Sequence, residues 1–204
     1  MIESQILGLF PTPVYSCKLN RKFTNKELSF IDKTKIDCHK NEGNIVSNDN
    51  YILNKPSFKN LKKELDLIVQ DYFNKIVCPA NNITPYITQS WLNYTETNQY
   101  HHKHTHQNSF VSGVLYINCD EQFDKIKFFN DSYKMIKIEI KDWNIWNSES
   151  WWLTIKTGDI ILFPSSLLHM VETKQGTNTR ISLAFNVFIK GTIGTYENLT
   201  ELKL

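Results

Sequence analysis

This sequence predicts a mainly β domain, an antiparallel sandwich or barrel with helices at its N-terminal end packed on one sheet. Three observations carry that expectation. Seven short runs rich in β-branched and aromatic residues follow one another from Gln89 onward. Turn residues such as Thr157-Gly158 and Gln175-Gly176 separate several of them, with no helical pattern between. Two helical patterns stand before them, in about residues 1–80.

The elements follow in order. Thr24-Asn25-Lys26-Glu27 has the spacing of a capping box and opens a helix through about residue 37, with Leu28, Ile31 and Ile36 expected inward. After Pro56-Ser57, the residues Phe58, Leu61, Leu65, Ile68, Val69, Tyr72, Phe73 and Ile76 recur at helical spacing, an apolar stripe that should lie against a sheet. The expected strands are 89–95, 109–118, 125–129, 151–156, 159–163, 169–172 and 179–189. In the last of these, Ile181, Leu183, Phe185, Val187 and Ile189 share one face, and Arg180, Ser182, Ala184 and Asn186 share the other.

Composition narrows the function. A chain of 204 residues with 41% hydrophobic content builds one sizeable core, so residues 1–204 are read as a single domain with a β core at about 85–190. The net charge of +2 comes from scattered lysines, so neither nucleic acid nor an anionic membrane is expected as a partner. Cys17, Cys38, Cys78 and Cys119 form no CxxC pair and read as reduced, buried small residues. The first residues lack the charged and apolar regions of a signal peptide, and no apolar run approaches the roughly 20 residues that span a bilayer. A cytoplasmic location is the expectation.

Chemistry concentrates in histidine. Four of the six histidines fall in His101-His102-Lys103-His104-Thr105-His106, and His169 stands alone far downstream. Neutral imidazole is a common ligand for iron, copper, nickel and zinc, and two histidines two apart on a strand point to one side. His104 and His106 are therefore expected to share an ion with His169; a register through His102 and His104 is the alternative. A bland reading stands beside it, in which the run is a solvated loop and His169 a satisfied core histidine. Against that reading stand Arg180 and Ser182 on the inward face, since a buried guanidinium is costly unless it meets an anion and its planar fork suits a carboxylate.

With these residues the chain resembles the 2-oxoglutarate and Fe(II)-dependent oxygenases, in the segments His104-Thr105-His106, Tyr116-Ile117-Asn118, Gly158-Asp159 through Phe163-Pro164 to His169, and Arg180-Ile181-Ser182. It is most similar to the 2OG-Fe(II) oxygenase family common in marine bacteria and their phages, a likeness extended by Leu9-Phe10-Pro11-Thr12-Pro13-Val14, Trp91-Leu92-Asn93 and Ser112-Gly113-Val114-Leu115-Tyr116. The resemblance covers nearly the whole chain. It implies a double-stranded β-helix of the jelly-roll or cupin kind, with Fe(II), 2-oxoglutarate as cosubstrate and O2.

The resemblance also implies roles. His104, His106 and His169 would hold the metal, His106 taking a place that is Asp in most relatives, which leaves a three-histidine centre or completion by a carboxylate such as Asp120 or Asp131. Arg180, Ser182 and Tyr116 would take the distal carboxylate of the cosubstrate, with Tyr94 either near its metal-proximal end or a core aromatic, and Asn93 and Trp91 lining the pocket. Asn108 and Ser112 are weaker candidates. The reaction implied is hydroxylation of a C–H group with release of succinate and CO2, with no catalytic residue beyond the metal ligands. The expected partner is a small-molecule or peptide substrate, a homodimer being an option. The segment 141–152, with Trp143, Trp146, Trp151 and Trp152, is read as a lid or substrate wall, or else as strand packing at the sandwich edge. Two other readings stay open: a metal-binding cupin without 2-oxoglutarate, and a non-catalytic accessory protein on the same fold.

Overall fold

The structure, a computed structural model, describes residues 2–130 and 138–204. In chain order it contains β1 (Tyr15–Lys18), α1 (Asn25–Thr34), β2 (Cys38–Lys40), β3 (Ile45–Ser47), α2 (Lys59–Tyr72), β4 (Ile83–Thr95), β5 (His101–His104), β6 (Val111–Asn118), β7 (Lys125–Phe129), β8 (Ser150–Thr154), β9 (Asp159–Pro164), β10 (His169–Val171), β11 (Arg180–Ile193) and β12 (Leu202–Lys203). A major sheet runs β1-β9-β6-β11-β4-β3-β2, with β12 added to the end of β11, and a minor sheet runs β5-β10-β7-β8. Every strand-to-strand pairing is antiparallel. All seven expected strands are present. The mainly β expectation, with helices at the N-terminal end, holds.

The helices form where their caps and stripes predict. Thr24 Oγ1 accepts from Glu27 N–H and the Glu27 carboxylate accepts from Thr24 N–H, closing both ends of the capping box. Only Ile31 of the three expected inward residues is buried there; Leu28 is partly exposed and Ile36 is 89% exposed. The reason is length: α1 stops at Thr34, so Ile36 falls in the turn beyond it. On α2, Leu61, Leu65, Val69 and Tyr72 are buried and Phe73 continues the stripe into one π-helical turn, Phe73–Val77.

Alternation on the long strands divides the interior into two cores. Leu92, Tyr94, Leu115, Ile117, Leu183 and Phe185 pack with α2 and Ile31 on the helix-facing side of the major sheet. Tyr116, Ile161 and Phe163 face the minor sheet, where Ile126 and Phe128 meet them. Each face of the major sheet is thus covered, and the space between the sheets is where the polar residues of β4 and β11 point. The cysteines are all unpaired, as expected, but Cys78 is exposed, at the left-handed residue that ends the π turn. Among the described residues no helix is long and apolar enough to cross a membrane.

Candidate metal centre and anion pocket

Three histidine rings meet at one end of the space between the sheets. His169 opens β10 and pairs directly across the ladder from His104, the last residue of β5. His106 lies past the strand, on a loop whose N–H bonds the carbonyl of Ser165 at 2.9 Å. One nitrogen from each of His104, His106 and His169 lies within 4.8 Å of the other two. His104 and His106 are brought together, but not as two residues of one strand: a ladder places the first, and a loop returns the second to it.

The outer nitrogens of these rings decide which inner ones are free. His104 Nδ1 donates to the carbonyl of His102 at 2.7 Å, and His169 Nδ1 donates to the carbonyl of Leu167 at 2.9 Å. His106 Nδ1 lies 2.8 Å from Asn186 Oδ1, an acceptor, and 2.6 Å from Ser112 Oγ. The direction of the serine contact follows from its chain of hydroxyls. Ser109 Oγ donates to the carbonyl of Val111, Ser165 Oγ donates to Ser109 Oγ, and Ser112 Oγ is left to donate to Ser165 Oγ at 2.8 Å and to accept from His106. All three rings thus carry their proton on Nδ1, and all three Nε2 lone pairs are bare.

Those lone pairs face one another. The Nε2 atoms of His104 and His106 stand 3.1 Å apart with no proton between them. Burial, the largest cause in each case, lowers the proton affinity of all three rings, to about 4 for His106 and about 3 for His169; neighbouring histidines lower it further. A proton is therefore a poor bridge, whereas a divalent cation suits three neutral imidazoles. Two nitrogens about 2.1 Å from one ion and at right angles would sit about 3 Å apart. The residues fit a metal ion. Among the described residues no carboxylate completes the cluster. Asp120 lies in a turn, accepting from Gln122 N–H, and Asp131 is outside the described residues.

A second cluster of His101, His102 and His104 shares His104. Two residues of β5, His102 and Lys103, oppose one of β10, Met170, between the pairs His104–His169 and His101–Val171, a bulge that turns His101 onto the same side as His104. Its ring stacks on that of His104 at 4.7 Å, and it lines the pocket. With His104 Nδ1 already donating to a carbonyl, only one nitrogen of that ring is available to an ion, so the two clusters compete for it.

The pocket beside the rings is lined by Trp91, Asn93, Thr95, Tyr116, Phe163, Arg180, Ser182 and others. Of the residues expected around a bound cosubstrate, Asn93, Tyr116, Arg180 and Ser182 are brought together. Asn93 lines this pocket, and its buried Oδ1 has no hydrogen-bond partner among the described residues. Burial pushes the Tyr116 phenol well above its ordinary value, so it stays protonated and can donate. Tyr94 is a correction. As the neighbour of Asn93 on β4 it points to the opposite face, is fully buried among the helices, and its hydroxyl donates to the carbonyl of Ile31 at 2.6 Å. Asn108 holds a left-handed turn, at φ 53°, and Ser112 acts through His106.

Two charged residues of this region carry no sequence signal. Asp124, just before β7, and Lys174, in the loop before β11, are both buried with Arg180. Arg180 Nη1 donates to Asp124 Oδ1 at 3.1 Å, and Lys174 Nζ lies 3.3 Å from both oxygens of the same carboxylate. Asn186 is likewise new as a partner of His106, although its inward direction on the last strand is legible. The Trp segment is on the surface: Trp143, Trp146, Trp151 and Trp152 are each more than two-fifths exposed, and Trp151 and Trp152 stack at 6.2 Å on β8. They do not reach the pocket lining.

Comparison with known proteins gives the same frame. Residues 89–186 match the family described as "Putative 2OG-Fe(II) oxygenase". No curated protein matches the chain. Among solved structures, the chain is similar to the α-ketoglutarate-dependent epimerase SnoN of nogalamycin biosynthesis (7% identity, TM-score 0.65, 88% of this chain and 79% of that one). It is also similar to HygX from Streptomyces hygroscopicus, solved with nickel, 2-oxoglutarate and hygromycin B (12%, TM-score 0.58, 86% and 82%). A Pseudomonas putida prolyl-4-hydroxylase is a third (12%, TM-score 0.55, 86% and 92%). At these identities the likeness is one of fold, the double-stranded β-helix.

Proposed function

We propose, from the match of residues 89–186 to the 2OG-Fe(II) oxygenase family, that this chain is such an oxygenase and hydroxylates a C–H group of a small molecule or peptide. Such a reaction consumes 2-oxoglutarate and O2 and releases succinate and CO2. Residues 1–204 act as one catalytic domain, the N-terminal helices backing the major sheet. The observation that carries the reading is the set of three bare Nε2 lone pairs, each fixed by an oxygen acceptor on the far side of its ring.

In this reading His104, His106 and His169 hold the iron, which supplies, with the keto acid, the oxidation of a C–H bond by O2. The residues do the rest. Three neutral ligands cancel none of the ion's charge, which favours an anionic cosubstrate beside it. Arg180 and Ser182 receive the distal carboxylate, Tyr116 donates to it through its protonated phenol, and the Asn93 Oδ1 is left to accept from a donor on the ligand. Trp91, 5.6 Å from the His106 ring, and Phe163, 4.6 Å from that of His169, exclude water from the metal side. A cupin without 2-oxoglutarate would leave Arg180 only its single bond to Asp124, with its other donors toward the pocket unused.

The test is spectroscopic. Protein with Fe(II) and 2-oxoglutarate under nitrogen should develop the weak visible charge-transfer band of the chelate, and His169→Ala should abolish it. Arg180→Ala should leave iron binding intact and raise the 2-oxoglutarate requirement, by about 2–5 kcal/mol of charge-pair binding. Normal iron binding with neither a band nor succinate would overturn the assignment.

A further inference from the structure

We infer that Lys174 is a positioning residue that acts through Asp124 to keep Arg180 electrostatically available, and so sets how strongly the pocket takes a carboxylate. The inference rests on the cosubstrate reading above and concerns residues to which that reading gives no role.

Three ionic side chains are buried in one group, with relative exposures of 1% for Asp124, 2% for Lys174 and 4% for Arg180. Two are cations and one is an anion, so the group carries one positive charge in excess. The Asp124 carboxylate is saturated: Oδ1 meets Arg180 Nη1 at 3.1 Å and Lys174 Nζ at 3.3 Å, while Oδ2 meets the same Nζ at 3.3 Å and accepts from Asp120 N–H at 2.8 Å. Among the described residues the guanidinium makes this single end-on bond and leaves its other donors uncommitted, and Arg180 lines the pocket. A lone Arg–Asp pair would prefer two parallel bonds and would be neutral as a unit. Lys174 prevents both.

Lys174 is itself held from three sides. Its Nζ donates to Asn178 Oδ1 at 2.8 Å, its backbone N–H donates to the carbonyl of Gln99 at 2.8 Å, and its carbonyl accepts from Asn98 N–H at 3.0 Å. The loop closes tightly around it, since a Cβ on Gly176 would stand 3.1 Å from Nζ and 2.9 Å from Asp120 Oδ2. An ammonium buried this firmly needs an anion in the account. Asp124 supplies one negative charge for two cations, and a ligand carboxylate at Arg180 supplies the second.

The experiment measures 2-oxoglutarate affinity calorimetrically, under nitrogen, on Mn(II)-loaded wild type, Lys174→Met and the double variant Asp124→Asn/Lys174→Met. Pyruvate, a keto acid with no distal carboxylate, is titrated in parallel. Lys174→Met should weaken 2-oxoglutarate about tenfold or more, because Asp124 then neutralises Arg180, with pyruvate and Mn(II) binding unmoved. The double variant, in which Arg180 again carries an uncancelled charge, should return to within about threefold of wild type. It also keeps the question answerable if the single variant, left with different buried charge, does not fold. A double variant as weak as the single one, wild-type affinity in Lys174→Met, or an equal loss for pyruvate would each overturn the inference while leaving the cosubstrate reading standing. Wild-type protein that binds Mn(II) but not 2-oxoglutarate would overturn both.

Discussion

His104 and His106 present their Nε2 atoms to each other at 3.1 Å while the Nδ1 of each is spent on an oxygen. Two lone pairs at that distance repel unless something positive lies between them. A cation shared by the two rings, or a proton, would favour this arrangement, and the two differ in their response to pH.

Without metal, the protein should lose stability as the solution is acidified from about pH 6.5 towards pH 3. The unfolded chain takes up protons on these histidines near the ordinary value of 6.5, whereas folded His106 and His169 resist until about 4 and about 3. Unfolding then binds protons, so stability is complete above 6.5 and falls as the pH drops through this window. Denaturant midpoints of metal-free protein at pH 7.5 and 4.5 check it; equal midpoints would contradict the assigned environments.

Asn186→Ala should lower metal affinity by about 10–100-fold, because His106 loses the acceptor that turns its Nε2 inward. Ser112→Ala should cost less, since Asn186 Oδ1 still receives the Nδ1 proton. Competition with a coloured chelator ranks the two variants, and the reverse order would mean that the hydroxyl chain, not the amide, sets the ring.

Tyr94→Phe should reduce stability by about 1 kcal/mol through loss of the bond to the Ile31 carbonyl. The same variant should bind 2-oxoglutarate as wild type does. A thermal melt and a titration together test the placement of this residue on the helix-facing side, and a shifted titration would return it to the pocket.

Gly113→Ala should destabilise by about 1–3 kcal/mol or more. A Cβ there would stand 2.2 Å from Phe185 Cζ and 2.7 Å from Leu162 Cδ2, both in the packed core between the major sheet and the helices. Chemical denaturation reads the loss directly, and an unchanged midpoint would show that the Phe185 ring moves aside freely.

The long strands were legible because alternation and burial coincide in them: the inward direction of Arg180, Ser182 and Asn186 follows from parity alone. Parity also places Tyr94 opposite Asn93, so the two could not both have lined the pocket. Strands β1, β2 and β3, of three or four residues, carry too little pattern to read; Cys38-His39-Lys40 has no apolar alternation at all. His101 enters the pocket through a bulge that exists only because β10 pairs beside it. Lys174 and Asp124 carry no signal in the sequence, because burial of an ion pair is a property of the assembled fold.

The two sheets contribute different things to the pocket. His104 and His169 stand on strands of the minor sheet, whereas Arg180, Ser182 and Asn93 stand on strands of the major one. A molecule gripped by the rings at one end and by the guanidinium at the other would act as a rivet through both layers. Sliding of one layer over the other would then be resisted by the ligand itself, so the filled protein should be mechanically stiffer across the sandwich than along either sheet.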